Sequence, residues 1–80
     1  MTEPEIYAVL QTLFADIFDD ESITLTPTTS AKDIAEWDSF NHVNIIVGAE
    51  TKFKIKFTTS EIGGLKNVGD FVHLIARKTA

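Results

Sequence analysis

The sequence predicts an all-α fold, a bundle of three principal helices plus one short helix, with a long loop between helices I and II. Three observations lead there. Apolar residues recur at spacings of three and four in three separate segments, the pattern of one helical face turned to a core. Helix-start signatures, a hydroxyl or amide side chain followed three positions later by a carboxylate, stand at Thr2/Glu5, Thr58/Glu61 and Asn67/Asp70. The one stretch that alternates with period two, Lys52-Phe53-Lys54-Ile55-Lys56-Phe57, has no clear second strand to pair with.

Helix I follows from Ile6, Val9, Leu10, Leu13, Phe14 and Ile17, which fall on one stripe. Thr2 and Glu5 form its capping box, and Pro4 sits in the first turn, where a missing N–H costs nothing. Asp19, Asp20 and Glu21 then end it, because carboxylates oppose the C-terminal dipole. Residues 19–37 make a connection longer than the ~12–15 residues beyond which structureless loops become uncommon, so internal order is expected. Ser30 with Asp33 suits a capped turn, and Ile23, Leu25, Ile34 and Trp37 are apolar enough to pin the loop to the helices.

Helix II is expected to start at Asp38 or Ser39 and to turn Phe40, Val43, Ile46, Val47 and Phe53 inward, with Ile45 and Ala49 widening the apolar face. Gly48 either weakens it by around 1 kcal/mol or permits a close contact. The alternating stretch is read as the end of helix II running into an extended segment whose Ile55 and Phe57 touch the core. Thr58 and Glu61 open a short helix that Gly63 and Gly64 stop. Val68, Phe71, Val72 and Ile75 form the inward stripe of the last helix, which Arg77 and Lys78 end favourably for its dipole.

The chain's 80 residues are read as a single domain, residues 1–80, with no repeat or low-complexity segment. A domain of this size buries only about 60% of its unfolded surface, which allows a core but no deep enzyme cleft. The absence of cysteine excludes disulfides, thiolate metal sites and a cysteine nucleophile, and fits a reducing cytoplasm. The N-terminal MTEPEIYAVL lacks signal-peptide character, and no segment approaches a membrane span. A net charge of −5 disfavours nucleic acid and favours partners with basic docking surfaces.

Little here builds an active site. His42 and His73 belong to no metal-binding spacing and are read as surface residues. Asp19, Asp20 and Glu21 are read as a solvated cluster without the calcium-loop pattern, and no metal site is expected. Lys52, Lys54 and Lys56 are read as solvated ends flanking buried apolar residues, and Trp37 as a loop-packing residue before a ligand-facing one. No serine has a GxSxG elbow or an evident base, so Ser39 on generic grounds is a helix N-terminal residue.

A more specific pattern changes that. Asp38-Ser39 precedes the bulky apolar Phe40 and a helix through Val43, Ile46 and Val47; then come Phe53-Lys54-Ile55-Lys56-Phe57 and Asn67-Val68-Gly69-Asp70-Phe71-Val72. This order resembles the acyl carrier protein family, with its Asp-Ser-Leu signature, its F-x-I-x-apolar segment after helix II and its polar-V-G-D-apolar-V start to the last helix. The resemblance covers essentially the whole chain, and the combination is far more specific than the tripeptide Asp38-Ser39-Phe40.

The resemblance implies an acyl-carrier-like bundle that is a carrier and not an enzyme. A phosphopantetheinyl transferase, using coenzyme A and magnesium, would attach 4′-phosphopantetheine to Ser39 as a phosphodiester, and the arm's thiol would hold acyl groups as thioesters. Asp38 and Phe40 would flank the attachment point, while Phe40, Val43, Asn44, Val47 and Ile62 would meet partners or form the mouth of an acyl pocket. A helix start suits this role, since its hydroxyl is expected to be exposed and its N–H groups and dipole accommodate a phosphate. The other implied partners of a monomeric carrier are an acyl- or aminoacyl-loading enzyme and a ketosynthase, acyltransferase or condensation-type enzyme. Phe40 replaces the usual leucine, and Asn41, Asn44, Thr51 and Lys52 occupy positions often acidic in fatty-acid carriers, leaving Asp38 and Glu50. A specialised acyl, polyketide or aminoacyl pathway is therefore expected ahead of housekeeping fatty-acid synthesis, and a small helical interaction module without a prosthetic group is the alternative from another class.

Overall fold

A computed structural model describes residues 2–34 and 37–79, the side chain of Ser39 excepted. Its elements are α1 (Glu3–Phe18), α2 (Ser39–Phe53), α3 (Thr59–Gly63) and α4 (Val68–Lys78), with no strand among the described residues. α1 packs against both α2 and α4. Its apolar stripe supplies the centre of the core: Ile6, Leu10 and Phe14 are fully buried, with Leu13 nearly so.

The helix ends follow the local chemistry. The Thr2 hydroxyl accepts the Glu5 backbone N–H at 3.4 Å, and the Glu5 carboxylate accepts the Thr2 backbone N–H at 2.8 Å. Thr58 and Glu61 repeat this at α3, with bonds of 3.2 and 2.8 Å. At α4 the Asn67 side chain accepts the Asp70 N–H at 2.8 Å. The Glu5 carboxyl is held below the ordinary glutamate value by the backbone N–H of Thr2 and then by its hydroxyl. That of Glu61 is lowered by the Thr58 N–H and then by Lys78, whose Nζ lies 3.0 Å away. A folded-state pKa below the unfolded one contributes stability that is complete above the ordinary value of 4.5 and is lost as pH falls through the folded value. Helical circular dichroism should therefore decline in that acid window, and combining Glu5→Gln with Glu61→Gln should flatten this decline.

The long connection is ordered by polar contacts. The Gln11 side-chain amide donates to the Ile23 carbonyl, and its oxygen accepts the Leu25 N–H at 3.0 Å. The Ser30 N–H donates to Asp33 at 2.9 Å, closing the expected turn. Further along, the first two N–H groups of α4, on Val68 and Gly69, donate to the carbonyls of Thr29 and Pro27 at 2.8 and 2.9 Å. The loop thus satisfies donors that every helix start leaves open. A Cβ on Gly69 would lie 2.8 Å from the Pro27 carbonyl oxygen, so this approach requires glycine. Ile34 is buried, and Ile23, Leu25 and Trp37 pack against the core, as their apolar character predicts.

Helix II requires one correction. Its inward face is Ile45, Ile46, Ala49 and Phe53, whereas Phe40, Val43 and Val47 are 74%, 58% and 54% exposed. Two apolar stripes with helical spacing share this helix, and periodicity alone cannot tell which one faces the core. The close packing of α1 selects between them: a Cβ on Gly48 would come within 2.6 Å of Leu13 Cδ1, so Gly48 permits the contact. α2 ends where Lys54 turns left-handed, at φ 57°, and Ile55 and Phe57 follow outside any helix and pack on the core. The alternating pattern of the lysine-rich stretch thus reflects a helix end followed by two core contacts. The last helix adds Gly69 and Leu74 to the buried residues named from its stripe.

Candidate functional site

Asp38 is the N-cap of α2, its carboxylate accepting the Asn41 N–H at 2.8 Å, and Ser39 is the first helical residue. The position of the Ser39 hydroxyl lies outside the described residues. Immediately before the cap, the half-buried Trp37 meets Phe14 edge to face, with centroids 5.2 Å apart, and stacks on His42 at 6.0 Å. The Trp37 indole N–H donates to His42 Nδ1 at 3.1 Å. Using Nδ1 as an acceptor puts the proton of the neutral imidazole on Nε2.

His42 is consequently not the free surface residue expected from sequence. It is half-buried and fixes the residue preceding the cap. The spacing of five gives no helical signal, because Trp37 lies before the helix while His42 lies inside it. His73 is exposed, with Nε2 3.6 Å from a Glu3 carboxylate oxygen. His42→Phe should keep a ring beside Trp37 but leave the indole N–H without its acceptor. The expected cost is about 1–3 kcal/mol in urea unfolding, together with a moved indole-proton NMR resonance.

Beside this corner lies an open cavity of about 630 Å³. Val43, Ile45, Ile46, Leu65 and Phe71 give it apolar walls, and Trp37, Asp38, His42, Lys66 and Asn67 supply aromatic and polar edges. Its size and mixed character are those of a small-ligand site. Of the residues implicated from sequence, Asp38 and Val43 line it; Phe40, Asn44 and Val47 belong to α2 outside the lining. Ile62 is half-buried on α3 against the core and is also outside the lining. Leu65, Lys66, Asn67 and Phe71 were not named as site residues from sequence, because only the tertiary placement of α4 and the segment before it beside α2 brings them to the cavity. The Asp38-Ser39-Phe40 motif does not encode that distant wall.

The described residues contain no group of three or more histidine, cysteine, aspartate or glutamate side chains able to hold a metal ion. Among them, no helix is long and apolar enough to cross a membrane. The site therefore presents a helix start beside an amphipathic cleft.

No protein-family model matches the chain. Its sequence is 33% identical over 76 residues to the meromycolate extension acyl carrier protein of Mycolicibacterium smegmatis, covering 95% of this chain and 77% of that protein. It is 30% identical to an acyl carrier protein of Acidothermus cellulolyticus, covering 99% and 94% of the two chains. The solution NMR structure of a holo acyl carrier protein from Geobacter metallireducens superposes with a TM-score of 0.86 at 49% identity, over 90% of this chain and 83% of that one. With an all-helical fold of the same kind and relatives matched along nearly the full chain, this protein belongs to the acyl carrier protein family.

Proposed function

We propose that residues 1–80 act as one carrier domain in which Ser39 accepts 4′-phosphopantetheine from coenzyme A, through a phosphopantetheinyl transferase. The observation that carries this is the placement of Ser39 as the first residue of α2, between a capping Asp38 on the cavity rim and a strongly exposed Phe40. The residues present fit the group. Helix-start N–H groups favour a phosphate, and the neighbouring cleft offers apolar walls with a few polar groups to a flexible arm or its cargo. When bound, the group supplies a thiol that holds an acyl chain as a thioester, chemistry a cysteine-free chain cannot otherwise perform.

Asp38 and Phe40 flank the attachment point, Val43 contributes to the mouth of the acyl site, and Asn44, Val47 and Ile62 are proposed as neighbouring partner-contact positions. The partners are the transferase, an acyl- or aminoacyl-loading enzyme, and a ketosynthase, acyltransferase or condensation-type enzyme, met in the cytoplasm. A specialised acyl, polyketide or aminoacyl pathway is supported by the few carboxylates of α2 and by relatives named for meromycolate extension. Incubation with coenzyme A, magnesium and a broad-specificity transferase should raise the intact mass by one phosphopantetheine, and Ser39→Ala should abolish the gain. No gain in the wild type, or modification of Ser39→Ala, would refute the assignment.

A further inference from the structure

Trp37 fixes both the position of His42 and the placement of its proton. Because the indole N–H donates to Nδ1 at 3.1 Å, the neutral ring carries its proton on Nε2. That Nε2–H has no acceptor among the described residues, although His42 is half-buried and lines the cavity beside the cap of α2. The donor is open to a bound group.

His42 stands three residues after Ser39, within the first turn of α2. Residues at this spacing are neighbours on a helix surface, about 5–6 Å apart at Cβ, and helical side chains lean toward the N-terminus. The hydrogen bond and stacking with Trp37, which precedes the helix, show the His42 ring leaning this way. An anionic group joined to Ser39 is thus a near neighbour of this ring.

The charged groups of the cavity lining are Asp38 and Lys66. Asp38 is already engaged, its carboxylate accepting the Asn41 N–H at 2.8 Å. Lys66 is exposed and makes no ion pair among the described residues, but its ammonium is a point charge on a flexible stem. The imidazole is held in place by a stacked ring and a hydrogen bond, so little freedom is lost when it binds. Resting on the assignment of Ser39, we infer that His42 is a binding residue for the phosphodiester of the attached arm, its Nε2–H donating to a phosphate oxygen. The bond directs the arm toward the cavity that His42 lines, and Trp37 acts through His42 as a positioning residue by fixing the tautomer.

The test compares wild type, His42→Gln, His42→Asn and Lys66→Gln as apo and holo proteins, the holo forms made with coenzyme A, magnesium and the broad-specificity transferase and checked by intact mass. Asparagine places its amide near Nδ1, where its oxygen can accept the Trp37 N–H, but it offers no donor at the place of Nε2. Glutamine extends an N–H to that place. Urea unfolding gives each protein's holo-to-apo ratio of unfolding constants, so destabilisation common to both forms cancels. Modification should lower the unfolding constant of the wild type about tenfold more than that of His42→Asn, the effect of a hydrogen bond to a charged group. His42→Gln should recover much of the difference, and Lys66→Gln should behave as the wild type. In the wild type, nitrogen NMR of the imidazole should show Nε2 moving on modification while Nδ1 keeps its bond to Trp37. This comparison needs no variant and decides alone where a variant does not take the group.

An Nε2 resonance that does not move, or equal effects of modification in the wild type and His42→Asn, would overturn the inference. So would loss of the effect in Lys66→Gln with none lost in His42→Asn, which would give the phosphate to the lysine. Absence of a mass gain in the wild type is a different result and refutes the Ser39 assignment itself.

Discussion

Phe14→Ala is expected to remove a large part of the chain's stability against unfolding. Phe14 is fully buried, meets Trp37 edge to face at 5.2 Å and touches Phe18 at 5.9 Å. Truncating a buried phenylalanine costs ~3–5 kcal/mol, because the lost transfer free energy is joined by the cavity left behind. A folded chain of 80 residues has only ~4–12 kcal/mol in total. No disulfide supports this core. The cost also reaches the site, since Phe14 forms the support behind Trp37 and so holds the residue before the Asp38 cap. Urea unfolding followed by circular dichroism should show the loss. The control is Phe40→Ala, whose ring is 74% exposed and whose removal should move stability by no more than about 0.5 kcal/mol.

That pair of phenylalanines also marks where sequence reasoning succeeds and where it stops. Helix I, its capping box and its stripe were legible because one apolar face stands against a polar remainder. The α3 and α4 starts were legible because capping is local chemistry carried within four residues. Helix II was legible as an element but not in its orientation, since Phe40/Val43/Val47 and Ile45/Ala49/Phe53 both satisfy a helical period. What separates them is the tertiary contact at Gly48 and Leu13, which no local pattern reports. Periodicity alone turns all of these residues inward; the structure leaves Phe40, Val43 and Val47 on the surface beside Ser39.

The site divides in the same way. Asp38, Ser39 and Phe40 can be singled out from sequence because their motif is contiguous, and they stand at the cap and first turn of α2. The bond from Trp37 to His42 was missed because it joins a loop residue to a helix residue through side chains alone. The cavity wall from Leu65 and Phe71 depends on how α4 and the segment before it sit beside α2, with the start of α4 tied by the backbone bonds of Val68 and Gly69 to the first loop. Gln11 likewise gives no sequence signal for its two contacts with the loop, because both are made to backbone groups.

The second large effect is the complete loss of carrier chemistry in Ser39→Ala. Alanine has no hydroxyl to join to phosphate, so the expected change is from full modification to none. The fold should survive the substitution, because the cap of α2 is the Asp38 carboxylate on the Asn41 N–H and not the serine. Helical circular dichroism should therefore match that of the wild type. The chain also holds serines at positions 22, 30 and 60, and two of these serve local structure: Ser22 donates to Asp20, and Ser30 shares the Asp33 turn. The decisive measurement is accordingly the location of the added group. Wild-type protein treated with coenzyme A and the broad-specificity transferase should be cleaved and its peptides fragmented in a mass spectrometer. Phosphopantetheine found on Ser39 alone is the predicted result, and the group found on Ser22, Ser30, Ser60 or a threonine, with Ser39 unmodified, would contradict it.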